Sequence, residues 1–204
     1  MNADNQKLEW KLCEAYFLII EKSMTSQVNL DQLSKATKIS KEVVEKIVSD
    51  SLIDNRIFFL KILISKIDRE VLNELKADLV DDTISSTYDK ILEGFSLRFE
   101  KYMKYKQSFK ILSKNSKQRI QVFFNLFREN YNFSSNLLTL IEEEQNCGVK
   151  TLKSLALNIV FTKCLEIFLK DDNADLDSVM RYLDKYLTDM KDLGGFVGII
   201  NNSL

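Results

Sequence analysis

Residues 29–44 have the sequence NLDQLSKATKISKEVV, which predicts two short helices joined by a tight turn. Leu30 and Leu33 lie three positions apart and share one face of the first helix. The turn falls at residues 37–39, and Ser40 stands where a second helix begins. Two short helices with an apolar residue in the turn and a serine before the second helix are typical of a helix-turn-helix.

Polar residues at the helix starts support this interpretation. Asn29 is a favourable N-cap for the first helix, and Gln32 stands three residues later, where its side chain can reach back in a capping box. Ser40 is a favourable N-cap for the second helix.

The composition of the whole chain predicts an all-α protein. Among 204 residues there is no proline and there are only five glycines, so nothing interrupts long helices. Period-2 alternation is hard to find anywhere. Outside the motif, apolar spacing and polar breaks predict helices over residues 8–23, 55–76, 84–105, 107–112, 134–145, 150–170 and 175–191. Another helix is predicted to start at residues 115–116, and Gly148 is predicted to end the helix over residues 134–145.

This helix order divides the chain into three parts. Residues 1–54 are predicted to form a helix-turn-helix domain, residues 55–80 a linking helix, and residues 81–204 an antiparallel helical bundle. Asp78, Asp81, Asp82 and Thr83 form a polar break that marks the second boundary.

Several classes of function are disfavoured by composition. Without histidine there is no imidazole base, nucleophile activator or metal ligand, and no glycine-rich phosphate loop is present, so we expect no enzyme, cofactor or metal site. Cys13, Cys147 and Cys164 are scattered and expected to be buried. Together with the lack of a signal-like start or membrane-length apolar run, they favour the cytoplasm. The net charge of −1 gives no overall attraction to nucleic acid.

The sequence resembles the TetR family of bacterial one-component regulators at two places. The first is Leu30–Val44, where Asn29-Leu30, Leu33-Ser34 and Thr37-Lys38-Ile39-Ser40 fall at the positions of the family motif, with Lys38 replacing its turn glycine. The second is Leu155–Asp189, which contains LEIFLKDD at 165–172 and DSVMRYLD at 177–184. That stretch is also similar to TetR-fold accessory proteins that bind lipids in ubiquinone synthesis.

The resemblance implies three sets of functional residues. Those expected at DNA are Asn29, Thr37, Lys38, Ser40, Lys41, Glu42 and Lys46. Those expected to line an apolar ligand cavity are Phe95, Phe99, Met103, Phe123, Phe124, Phe127 and Phe161. Those expected at a two-fold dimer interface, where the last two helices are apolar over a wide arc, are Leu155, Ile159, Leu165, Val179, Leu183 and Leu187.

Each set also has a simpler interpretation. The Lys/Glu mixture can be a solvated helix face, the aromatics plain core, and the apolar excess packing within one subunit. Two hypotheses for function follow: a homodimeric regulator that binds operator DNA and a small apolar effector, or a TetR-fold protein that binds a lipid or quinone precursor without binding DNA.

Overall fold

The computed structural model describes residues 3–49, 54–80, 84–114, 116–141, 147–173 and 175–197. Over these ranges the chain is all-α: nine helices are present and no strand. They are α1 (Ala3–Ser23), α2 (Leu30–Thr37), α3 (Lys41–Ser49), α4 (Asn55–Asp78), α5 (Thr87–Met103), α6 (Lys106–Lys114), α7 (Ser116–Ile141), α8 (Cys147–Lys170) and α9 (Asp177–Val197). The predicted fold class is confirmed.

The prediction of a separate helix over residues 134–145 is wrong. Helix α7 is continuous from Ser116 to Ile141, so Ser134 lies inside it rather than at a start. The Ser134 hydroxyl donates to the carbonyl of Asn130 at 2.9 Å, and both residues are buried. A side chain that could have capped a new helix is therefore satisfied within the existing one.

The start of α8 also differs from the prediction. Gly148 does not end a helix but lies in the first turn of α8, which begins at Cys147. The Thr151 hydroxyl donates to the Cys147 carbonyl at 2.9 Å across that turn. Cys147 is exposed at this helix end, whereas Cys13 and Cys164 are buried as expected.

The chain forms two compact units that interleave along the sequence. The first unit contains residues 1–67 and 104–126, and the second contains residues 68–103 and 127–204. Helices α4 and α7 each contribute residues to both units. The predicted cuts after residues 54 and 80 are simpler than this division, and residues 81–83 lie outside the described part of the chain.

Aromatic packing organises the core of the first unit. Tyr16 stacks on Phe59 with ring centroids 4.6 Å apart, and Phe17 meets Tyr105 and Phe109 edge to face. Helix α6 is further joined to α1 by the hydroxyl of Ser108, which donates to Glu21 at 3.0 Å. These contacts pack α1, α6 and the start of α4 against one another, and α2 and α3 are attached to this group of helices.

Helices α5, α8 and α9 form most of the second unit's core together with the second half of α7. Its largest fully buried side chains include Phe95, Arg98, Phe99, Tyr102, Phe133, Phe161 and Phe168. In the described residues, no helix is long and apolar enough to cross a membrane.

Candidate functional site

The capping box that the sequence predicted is present at the start of α2. Asn29 accepts a hydrogen bond from the amide of Gln32 at 2.8 Å, and the Gln32 side chain accepts one from the amide of Asn29 at 2.9 Å. This reciprocal pair is a complete capping box. It satisfies two amides that the first turn of a helix otherwise leaves without partners.

The turn between α2 and α3 depends on a left-handed residue. Lys38 has φ 58° and ψ 31°, in the region that favours glycine. The Thr37 hydroxyl donates to the Leu33 carbonyl and the Ser34 hydroxyl donates to the Ile39 carbonyl, each at 2.7 Å. The Ser34 hydrogen bond therefore spans the turn, the Thr37 hydrogen bond stays within α2, and a lysine occupies a position that favours glycine.

The predicted DNA-binding residues do not share one environment. Thr37 is 3% exposed and serves the turn, so it is not available to a groove. Lys38, Ser40, Glu42 and Lys46 are exposed. Ser40 directly precedes α3, and its carbonyl accepts from the amide of Val44 at 3.1 Å.

Lys41 joins the two helices of the motif. Its ammonium lies 2.9 Å from the carboxylate of Asp31 on α2, and both side chains are more than half exposed. The hydrogen bond to Asp31 raises the pKa of Lys41 above its ordinary value. The carboxylate also offsets part of the positive charge that Lys41 would offer to a phosphate.

The structure separates the predicted ligand-binding aromatics into two groups. Phe95, Phe99 and Phe161 come together in the second unit, where Phe99 stacks on Phe161 at 4.6 Å and Phe95 lies 5.0 Å from the same ring. Phe123 and Phe124, on the part of α7 that belongs to the first unit, are exposed. Met103 and Phe127 are half-buried.

A buried ion pair lies beside the aromatic group, and no pattern in the sequence indicated it. The Arg98 guanidinium binds both carboxylate oxygens of Asp68, at 2.7 and 3.0 Å, and donates to Asn130 at 2.8 Å. It also lies 4.3 Å from the ring of Phe133 and 4.6 Å from that of Phe161. Arg98 is fully buried, so both its charge and its planar face are satisfied by the protein.

The predicted interface residues on α8 and α9 also divide into two groups. Leu165, Val179, Leu183 and Leu187 are buried in the core of the second unit. Leu155 and Ile159 are 40% and 50% exposed. Leu152, which the prediction did not include, is 48% exposed and lies on the same face of α8, three residues before Leu155. We call Leu152, Leu155 and Ile159 the α8 apolar stripe.

No group of acidic or cysteine side chains that could hold a metal ion is present among the described residues. No protein-family model and no curated protein matches the chain.

Proposed function

We propose that the protein is a cytoplasmic, TetR-like transcriptional regulator that binds duplex DNA as a homodimer. The observation that carries the proposal is the geometry of the motif. Helix α2 is capped at both ends, a tight turn with the left-handed residue Lys38 follows it, and α3 has an exposed face. A short exposed helix held at a fixed angle to a second one is the arrangement by which helix-turn-helix proteins place side chains in a major groove.

Charge on α3 supports contact with phosphate rather than extensive readout of bases. Lys38, Lys41 and Lys46 are exposed around the turn and α3, and Glu42 is exposed beside them. Each lysine that neutralises a phosphate releases counterions, so binding weakens as salt rises. The surface is small and carries acidic residues, so we expect modest affinity that depends strongly on salt.

The α8 apolar stripe supports association of two copies. Monomeric proteins rarely leave several large apolar side chains in a row on one helix face, and a two-fold interface uses one such face twice. A second copy is the occupant we propose, because helix-turn-helix proteins commonly bind two half-sites through two-fold symmetry.

The effector is proposed as a small apolar molecule bound in the second unit. Phe95, Phe99 and Phe161 are the apolar side chains that such a molecule would contact, and because they pack directly on one another, its binding requires them to move apart. Binding there would shift the separation of the two reading heads in the dimer, which is the linkage that regulation requires.

The alternative is a lipid-binding protein that does not bind DNA. One observation favours it: Asp31 holds the Lys41 ammonium at 2.9 Å, which lowers the net positive charge of the motif. Under this alternative the apolar core of the second unit carries the function and the motif is a structural remnant.

Substitutions at the motif distinguish these two proposals. Lys41→Ala and Lys46→Ala should each weaken binding to duplex DNA, and the slope of log K against log salt should fall by about 0.9 for each phosphate that is no longer neutralised. Asp31→Asn should act in the opposite direction and strengthen binding, because it removes a negative charge and releases Lys41. Lys22→Ala, an exposed change at the end of α1, is the matched control.

Fluorescence anisotropy of a labelled duplex over a range of potassium chloride concentrations measures both quantities. If the three motif variants bind DNA like the wild type, α3 does not contact DNA. If the wild type itself binds no duplex, the lipid-binding alternative is preferred.

A further inference from the structure

A polar pocket lies in the first unit, and none of the residues that line it is on α3. It has a volume of about 530 Å³ and is open on one side. Its walls come from α1, from the connection before α2, and from the N-terminal ends of α2 and α4. We call it the N-terminal pocket. Its volume is within the range of small-molecule sites, and most of its lining residues are polar.

Tyr16 provides the first observation that points to a binding site here. Its ring is held by stacking on Phe59 at 4.6 Å and by an edge-to-face contact with Phe17 at 5.4 Å. The residue is 1% exposed, and its hydroxyl has no hydrogen-bond partner. Buried hydroxyl groups nearly always have one, so an orphan hydroxyl in the wall of a pocket indicates an acceptor that binds there.

Arg56 provides the second such observation. It stands in the first turn of α4 and lines the same pocket, and its Nη1 is also buried without a partner. Burial raises the pKa of the Tyr16 hydroxyl, and the positive charge of Arg56 lowers it by a smaller amount. The phenol is therefore a neutral donor near a guanidinium, and two donors that lack acceptors favour an anionic ligand group.

Asp54 restricts the kind of anion. Its carboxylate accepts from the amide of Arg56 at 2.9 Å and lies 3.4 Å from Arg56 Nε, and it remains partly exposed at the pocket. A simple anion beside it is repelled, whereas an anion with a neighbouring hydroxyl can donate to it. The positive ends of the α2 and α4 dipoles, which both face the pocket, favour the anionic group.

We propose that the N-terminal pocket binds a small hydroxylated oxyanion, a hydrophilic molecule with one phosphate or carboxylate group and at least one hydroxyl. The oxyanion accepts hydrogen bonds from Tyr16 and Arg56, and the hydroxyl donates to Asp54. This site does not depend on the proposed function, because it uses none of the residues proposed to contact DNA through α3.

Titration calorimetry with the full chain at constant ionic strength tests the proposal. The probes are sulfate, glycerol 3-phosphate and glycerate, which separate phosphate from carboxylate and hydroxylated from simple anions. Glycerol 3-phosphate or glycerate should bind several-fold more tightly than sulfate, and Asp54→Asn should remove that preference while keeping a residue that can cap α4.

Single-atom and charge variants locate the binding. Tyr16→Phe and Arg56→Gln should each weaken the best probe by about tenfold or more, the effect of losing a hydrogen bond to a charged group. Tyr102→Phe is the matched control, because it removes the hydroxyl of another fully buried tyrosine that does not line this pocket. It should leave the affinity unchanged.

Circular dichroism melts of each variant confirm that the fold is retained. The proposal is overturned if none of the three probes binds in the millimolar range, or if Tyr16→Phe binds as well as the wild type. It is also overturned if duplex DNA, and no small anion, requires Tyr16 and Arg56, because the pocket is then part of a DNA backbone contact.

Discussion

Replacing Leu155 and Ile159 together with aspartate should convert the proposed dimer into a folded monomer. The two side chains are 40% and 50% exposed in one copy, so roughly half of each remains to be buried by a partner. Full burial of such a side chain stabilises by about 2 kcal/mol, and each contributes twice to a two-fold interface. The double variant therefore loses about 4 kcal/mol, which weakens dimerisation by about a thousandfold, before the cost of desolvating four carboxylates.

Sedimentation equilibrium over a range of protein concentrations measures this change directly. Leu18→Asp is the matched control, because Leu18 is 55% exposed but lies on α1 and is not part of the α8 apolar stripe, so the change should leave the proposed dimer intact. Leu183→Asp has a different expected outcome: Leu183 is fully buried, so the subunit itself should unfold. A wild-type protein that stays monomeric at the highest soluble concentration would refute the reasoning, and so would a double variant that remains dimeric.

Three further substitutions test the packing. Asp68→Asn should lower the free energy of unfolding in urea by about 3–5 kcal/mol, because it leaves the buried Arg98 charge uncompensated. Replacing both Asp68 and Arg98 with leucine should recover most of that stability. Equal stability of the wild type and Asp68→Asn would contradict this prediction. Phe99→Trp should destabilise by about 1–3 kcal/mol through overpacking against Phe161, and a neutral result would instead indicate spare volume. Lys38→Gly should raise the midpoint of thermal unfolding, because it relieves the backbone strain of a lysine in the left-handed region, which costs about 1 kcal/mol. Lys35→Gly, inside α2, is the control and should lower the midpoint. If both variants lower it, the turn is not strained.

Local signals in the sequence were sufficient for the motif. The capping box at Asn29 and Gln32 and the order of the helices follow from residue types only a few positions apart. Such interactions form within one turn of a helix and need no knowledge of the tertiary structure. The same holds for the fold class, which absence of proline and scarcity of glycine already favour.

Tertiary packing decided what the sequence could not. Helix α8 has apolar residues on all sides, so nothing in the pattern separates Leu165, which is buried, from Leu155, which is exposed. Phe124 and Phe95 have the same side chain, and only the neighbours of each helix leave the first exposed and the second enclosed.

Charged residues gave a misleading local signal in the second unit. Arg98 looks like a surface residue in the sequence, since arginine is rarely buried. Its burial depends on Asp68 and Asn130, which lie about thirty residues away on either side in the chain. Long-range pairing of this kind has no signature in a single sequence, and neither does the approach of Tyr16 and Arg56 at the N-terminal pocket.

Selection from a pool of random duplexes at low salt tests most directly whether the protein binds DNA as a sequence-specific dimer. Two copies related by two-fold symmetry should enrich a palindromic site whose half-sites are about one helical turn apart. The Leu155→Asp/Ile159→Asp variant should enrich no palindrome in the same selection. If the wild-type protein enriches no sequence at all, the proposed regulatory function is contradicted.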